Sequence, residues 1–199
     1  MNQGELYTAD ELLKKALRYK GYWGNKGGIT VSGGEPLLQM DFLTEFFKKA
    51  KAEGVHTNLD TSGNPFTDQE PWHSGWLELM KYTDLVMLDI KQIDEQEHIK
   101  LTGHSNKNIL AMARELSDMK KPVWIRHVLV PGGSDKDEYL HRLADFIHTL
   151  SNVERVEVLP YHTLGKFKWE NLGLSYPLEG VNPPTQERID NARKILGAI

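Results

Sequence analysis

The chain of 199 residues contains no cysteine. Without thiolates it has no disulfide bond, no zinc–thiolate site, no thiol nucleophile and no cysteine ligand for an iron–sulfur cluster. It also lacks any apolar run near the roughly 20 residues that cross a bilayer. Its first residues do not resemble a signal peptide. We therefore expect a cytoplasmic protein without a membrane partner.

An excess of positive charge is also missing. The chain has 24 lysines and arginines against 28 acidic residues, which gives a net charge of −4. This balance provides no basic field for nucleic acid, so we expect no nucleic-acid partner. Hydrophobic residues make up 39% of the chain and charged residues 26%, as is typical of a globular domain. We expect one domain, residues 1–199, and a monomer.

Segments with helical and strand patterns alternate along the chain, which predicts βαβ units in a parallel sheet. The run Leu85–Asp89 is almost continuously apolar, as expected of a strand covered on both faces. The first predicted strand follows a helix and has no evident partner before it, so we expect this edge to be covered or a preceding strand to be absent. The predicted strands are residues 28–31, 55–60, 85–89, 123–130 and 153–159. One helix is predicted to begin at Thr8 with a capping box, another to end near Lys81, and four more to cover residues 41–52, 108–120, 136–150 and 185–196. A polar loop is predicted between residues 165 and 184.

Polar residues follow the ends of the predicted strands, where α/β barrels place their functional groups. We expect these residues to share a ligand site. In particular, we expect Gly34, Asp60, Asp89, Lys91 and His162 to surround a common cavity.

Each of these residues has a functional and a structural interpretation. The pair Gly33-Gly34 permits close approach of a ligand to the backbone, or forms a plain turn. Asp60 and Asp89 offer oxygen ligands for a cation, or are solvated or helix-capping carboxylates. Lys91 either pairs with Asp89 or holds a ligand carboxylate.

Two further residues remain open in the same way. Arg126 lies inside an apolar strand, so it needs an internal ion pair or access to water. His162 is either a structural histidine or a ligand contact.

Five motifs, in this order, resemble the glycyl-radical-enzyme activating enzymes of the radical S-adenosylmethionine superfamily. The resemblance extends over nearly the whole chain. It implies an α/β fold, an open, partial TIM-type (β/α)6 barrel, with five parallel strands present and the first strand and cluster loop missing. The motifs are Val-Ser-Gly-Gly-Glu-Pro at 31–36, Leu-Asp-Thr-Ser-Gly at 59–63, Asp-Leu-Val-Met-Leu-Asp-Ile-Lys at 84–91, Val-Trp-Ile-Arg at 123–126, and Leu-Pro-Tyr-His at 159–162 followed by Gly165-Lys166 and Lys168-Trp169.

The resemblance also implies an activity. In this family a [4Fe–4S] cluster, held by a Cys-x3-Cys-x2-Cys loop, reductively cleaves S-adenosylmethionine to a radical that abstracts hydrogen from a glycine of a partner enzyme. The implied partner is a glycyl radical enzyme, pyruvate formate-lyase, and the implied electron donor is a flavodoxin or ferredoxin. By resemblance, S-adenosylmethionine would contact Gly34, Asp89, Ile90, Lys91 and His162, and a monovalent cation would contact Asp60, Thr61, Met87 and Asp89.

The chain departs from the family because it contains none of the three cysteines. We expect it to correspond to the C-terminal five-sixths of an activating enzyme, begun at an internal methionine or cut from its parent, and to be inactive alone. A module that binds S-adenosylmethionine or the partner without catalysis is an alternative. Another is an activase of a different glycyl radical enzyme, such as anaerobic ribonucleotide reductase, although residues 159–162 and Lys168-Trp169 argue against it.

Overall fold

A computed structural model of the protein describes residues 4–24 and 27–198. Its centre is a sheet of five strands in the order β1-β2-β3-β4-β5, and all four neighbouring pairs are parallel. Helical segments connect each strand to the next, so the prediction of βαβ units is confirmed. The strands are β1 (Gly28–Val31), β2 (His56–Thr61), β3 (Leu85–Asp89), β4 (Val123–Leu129) and β5 (Val153–Pro160).

The predicted helices are also present, with ends shifted by one or two residues. Two helices were not predicted, α4 (Glu95–Thr102) and α7 (Lys166–Asn171), and α7 lies inside the expected polar loop. For α4 the signals were in the sequence: the Asp94 side chain accepts hydrogen bonds from the N–H groups of Gln96 and Glu97, and Gly103 ends the helix in the left-handed conformation. The helices are α1 (Ala9–Leu17), α2 (Met40–Ala52), α3 (Trp72–Lys81), α4 (Glu95–Thr102), α5 (Lys107–Asp118), α6 (Asp137–His148), α7 (Lys166–Asn171) and α8 (Gln186–Leu196).

The core lies between the sheet and the helices that connect its strands. On α2 the apolar residues recur at helical spacing, and Phe46, Phe47 and Ala50 are at most 1% exposed. Val86 and Leu88 of β3 face the same layer and are fully buried. Burying a side chain of this size contributes about 1.5–3 kcal/mol.

The other face of the sheet is polar, and we call it the concave face because the sheet of a barrel curves towards its inner side. Residues alternate along a strand, so Met87 and Asp89 face away from the helices and are only partly buried. The expectation that Leu85–Asp89 is covered on both faces is therefore wrong for this face. The register places Asp89 beside Arg126 of β4 and Asp60 of β2 beside Met87, which brings three charged residues onto one surface.

The first strand remains at the edge of the sheet. Within residues 4–24 and 27–198, β1 pairs only with β2. No helix in these two ranges is long and apolar enough to cross a membrane.

Candidate functional site

An ion network occupies the concave face at the carboxyl ends of β2, β3 and β4. The Arg126 guanidinium donates to Asp89 Oδ1 from Nε at 2.9 Å and lies 2.7 Å from it at Nη2. It also donates to both Asp60 oxygens, from Nη1 at 3.1 Å and from Nη2. The three side chains are only 15–19% exposed. The internal ion pair predicted for Arg126 is confirmed, so the two aspartates are neither solvated nor helix caps.

Lys91 extends this network towards solvent. Its Nζ lies 3.9 Å from Asp89 Oδ2, and its side chain is 38% exposed. The flanking Ile90 and Gln92 are buried, and Gln92 Nε2 donates to the carbonyl of Gly133 at 2.9 Å. The backbone around Lys91 is therefore held while its ammonium group remains accessible.

Burial raises the pKa of Asp89 above its usual value, although the positive charges of Arg126 and Lys91 act in the opposite direction. Two carboxylates, one guanidinium and one ammonium sum to zero charge. A ligand that brings its own carboxylate would therefore meet an ammonium group that is not fully paired.

A cavity of about 280 Å³ lies beside Lys91, between the loops after β2 and β3 and helix α4. His98 of α4 lines it and is 2% exposed. Its Nδ1 contacts the carbonyl oxygen of His104 at 2.7 Å; because a carbonyl only accepts, this nitrogen carries the proton. Burial lowers the pKa of His98, so the ring is neutral near pH 7. Its buried Nε2 has no hydrogen-bond partner within the described part of the chain.

The paired glycines form an exposed turn at the end of β1. Gly33 and Gly34 have φ values of +87° and +53°, a region that favours glycine. A Cβ at either position would meet no atom within 4 Å. The backbone of this turn is therefore open to a ligand.

Glu35 ties this turn to the end of β2, a role that the sequence analysis missed. Its carboxylate accepts hydrogen bonds from Thr61 Oγ1 at 2.6 Å and from the N–H and Oγ of Ser62 at 2.9 and 2.6 Å. It also accepts from the N–H of Leu37 at 3.2 Å, which caps the following turn. Only its position directly after the two glycines hinted at this.

His162 lies at the far end of the same edge, directly after β5. It has extended backbone and is exposed. The preceding Tyr161 is buried, and its hydroxyl is 2.8 Å from that of Tyr176. Nothing in these contacts makes His162 a structural residue.

The predicted residues share one edge of the sheet but only partly come together. Asp60, Asp89 and Lys91 lie in one network. The cavity at this edge is lined by Asp89 and Lys91 but not by Gly34, Asp60 or His162, so the expectation of a common cavity for all five is wrong for this structure. They lie instead along an open edge that runs from β1 to β5.

Two other predicted residues turn their side chains away from the concave face. Ile90 is fully buried, its N–H donates to the carbonyl oxygen of Arg126 at 2.9 Å, and its carbonyl oxygen lies 2.9 Å from His127 Nδ1, so only the second lone pair of that carbonyl is left for a ligand. Thr61 is 2% exposed, and its hydroxyl is bound to Glu35. Met87 does face the concave side, where its Sδ is 2.9 Å from Asn58 Nδ2. No group of three or more His, Cys, Asp or Glu side chains in residues 4–24 and 27–198 is arranged to hold a metal ion.

Comparison with known proteins identifies close relatives of the chain. Residues 1–145 match the family model of the radical SAM superfamily. The chain is 57% identical over 189 residues to a pyruvate formate-lyase-activating enzyme of Streptococcus mutans, with 95% of this chain and 72% of the relative covered. It is 56% identical over 190 residues to the Staphylococcus epidermidis enzyme of the same name, with 95% and 76% covered.

Solved structures show the same fold. The crystal structure of a domain of pyruvate-formate lyase-activating enzyme from Bacteroides vulgatus superposes with a TM-score of 0.69 at 25% identity, covering 85% of this chain and 92% of that one. Streptococcus suis SuiB, bound to its precursor peptide SuiA, superposes with a TM-score of 0.67 over 83% of this chain and 35% of SuiB, at 15% identity. The second likeness shows the fold alone.

Proposed function

We propose that this chain, which belongs to the radical SAM superfamily and within it to the family of pyruvate formate-lyase-activating enzymes, binds S-adenosylmethionine at the carboxyl edge of its sheet. The observation that carries the proposal is the network of Asp60, Arg126, Asp89 and Lys91 on the same edge as the open turn at Gly34. The reaction we propose for the site is the family's: reductive cleavage of S-adenosylmethionine that forms a glycyl radical on pyruvate formate-lyase. The partner is thus a glycyl radical enzyme.

The residues present fit S-adenosylmethionine. At Gly34 the backbone is open, so its polar groups would meet the methionyl amino group. Lys91 would bind the methionyl carboxylate, since its ammonium is 3.9 Å from Asp89 and only partly paired. Ile90 would contribute only its backbone carbonyl, since its N–H is bound to Arg126, and His162 would contribute an exposed imidazole at the far end of the edge.

A monovalent cation at Asp60, Thr61, Met87 and Asp89 is the second part of the proposal. Arg126 donates hydrogen bonds to three of the four carboxylate oxygens, and the fourth, Asp89 Oδ2, lies 3.9 Å from Lys91 Nζ. Asp89 Oδ2 is therefore the carboxylate oxygen that the site still offers to a cation. Thr61, whose hydroxyl is bound to Glu35, would contribute only its backbone carbonyl. Because the four charged side chains sum to zero, the charge of a cation would be balanced by the carboxylate of S-adenosylmethionine.

The residues of this chain do not fit a [4Fe–4S] cluster. The family's cluster is bound by thiolates, and the chain contains no cysteine. We therefore propose that the chain alone does not perform the reaction, whichever flavodoxin or ferredoxin supplies the electron. The same absence favours a second candidate function, a module that binds S-adenosylmethionine or the partner enzyme without catalysis.

Nuclear magnetic resonance of the ¹⁵N-labelled chain tests the site. Adding S-adenosylmethionine should shift the backbone amide signals of Gly34, Ile90, Lys91 and His162. The signals of Gly54 and Gly197, two glycines with positive φ that follow the ends of α2 and α8 and do not line the cavity beside Lys91, should remain in place. Shifts restricted to residues outside the carboxyl edge of the sheet would refute the proposed site.

A further inference from the structure

Residues 163–174, which we call the apolar lobe, expose an unusual number of large hydrophobic side chains. Twelve such side chains are exposed in the described part of the chain, and five of them lie in this short segment. Exposed apolar side chains that cluster in this way, within eleven residues of sequence, are typical of interaction sites. The five are Leu164 (75% exposed), Phe167 (55%), Trp169 (37%), Leu172 (59%) and Leu174 (54%).

The lobe is held in place by its own contacts, so its exposed side chains are not those of a loose loop. The ring of Trp169 packs edge-on against Tyr176 at 6.0 Å between centroids. Tyr176 in turn contacts the hydroxyl of the buried Tyr161 at 2.8 Å. Lys166 forms an ion pair with Glu179 at 2.8 Å. These contacts fix the lobe against the end of β5.

The position of the lobe connects it to the candidate site. It begins at the residue after His162, so it stands at the edge where the proposed chemistry takes place. A substrate that is itself a protein must bring its reacting residue to that edge, and its surrounding surface must then lie against whatever flanks the edge.

We propose that the apolar lobe is the surface on which the glycyl radical enzyme docks. This inference rests on the proposed function and assigns a contact surface to its protein substrate. The lobe contains three charged residues, Lys166, Lys168 and Glu170, and Lys166 is already paired with Glu179. So little unpaired charge favours the glycyl radical enzyme over an electron-transfer protein that would be guided by charge. With little unpaired charge and five exposed apolar side chains, the lobe suits a partner that buries apolar area around aromatic anchors.

Binding of the 199-residue chain to immobilised pyruvate formate-lyase tests the proposal. Phe167→Ser and Leu172→Ser should each weaken binding about tenfold or more, as expected when a central apolar contact is removed. Both side chains are more than half exposed, so neither substitution should affect folding. The matched control is Leu77→Ser, an exposed leucine on α3, which should change the affinity less than about twofold.

Several outcomes would overturn the proposal. They are a lack of binding by the unmodified chain, equal affinity of the lobe variants and the unmodified chain, or equal weakening by Leu77→Ser. Sedimentation analysis tests whether the lobe binds a second copy of the chain instead. A dimer that dissociates in the lobe variants would also overturn the proposal. A parallel titration with S-adenosylmethionine separates the two ideas, because failure of that titration refutes the proposed site and leaves the docking result standing.

Discussion

Removal of the Arg126 charge should lower the free energy of unfolding, because two carboxylates on the concave face then lose their guanidinium partner. In Arg126→Met, Asp60 and Asp89 lose a guanidinium that contacts both, while each remains less than 20% exposed. At about 4 Å between charge centres and an effective dielectric constant of about 20, each pair contributes about 4 kcal/mol of attraction before desolvation is subtracted.

The loss has an upper limit because a carboxylate without a partner can take up a proton. Protonation of a carboxyl group with an ordinary pKa of about 3.9 at pH 7 costs about 4 kcal/mol. We therefore expect Arg126→Met to lower the free energy of unfolding by about 3–5 kcal/mol at pH 7, the range for breaking a buried ion pair. The loss should shrink towards pH 4.5, where protonation of the aspartates costs less.

Urea unfolding at pH 7 and pH 4.5 measures both effects. The control is Arg193→Met on α8, where the side chain is 44% exposed and pairs at 3.6 Å with Asp190, which is 60% exposed. An exposed pair of this kind contributes about 0–1 kcal/mol. Adding Asp60→Asn and Asp89→Asn to Arg126→Met should restore much of the stability. The reasoning is refuted if Arg126→Met costs no more than the control, or if its cost does not change with pH.

Three further substitutions or conditions test other parts of the site. Glu35→Gln should lower the free energy of unfolding by about 1–3 kcal/mol, since the glutamine amide cannot accept hydrogen bonds from both Thr61 and Ser62. The control Glu70→Gln, which affects one exposed hydrogen bond from the N–H of Ser74, should cost less. Equal urea midpoints of the two variants would contradict this. The pKa of His98 is lowered by burial, so its contribution to stability is present above its unfolded value of about 6.5 and is lost as the pH falls through the folded value. The fall in stability from pH 7.5 to 5.5 should therefore be smaller in His98→Asn, which keeps a donor for His104, and equal falls would contradict the burial argument. Potassium chloride should strengthen the binding of S-adenosylmethionine relative to tetramethylammonium chloride at equal ionic strength, and Asp89→Asn, which alters the carboxylate whose Oδ2 is not bound by Arg126, should remove the difference. An unmodified chain indifferent to potassium would exclude the cation.

The strands and most helices could be predicted from the sequence because their signals are local. The apolar run before Asp89 and the regular spacing of apolar residues on α2 both depend on neighbours a few residues away. The need of Arg126 for an ion pair or for access to water also followed from a simple rule, since a charge inside an apolar strand must be neutralised or solvated. Its actual partners, Asp60 and Asp89, were not predicted. The common position of Asp60 and Asp89 followed from parallel strands that end at one edge.

The features that were missed depend on contacts distant in sequence. Glu35 binds Thr61 and Ser62, which lie 26 and 27 residues away, and no local pattern indicates that contact. Most of the lobe at residues 163–174 falls inside the segment 165–184, which its glycines and the Pro183-Pro184 pair led us to predict as a polar loop. Its order comes from Tyr176, which packs against Trp169 and contacts the Tyr161 hydroxyl only in the folded chain.

The most direct test of the central claim is calorimetric titration of the chain with S-adenosylmethionine, without iron or sulfide. The account predicts feeble binding, with a Kd on the order of 1 mM, because the chain offers the Gly34 turn and Lys91 but no cluster. Lys91→Met should abolish this binding, whereas Lys100→Met, which removes an exposed lysine of α4 paired with Glu97, should leave it unchanged. Micromolar binding by the unmodified chain, or binding that survives Lys91→Met, would contradict the account.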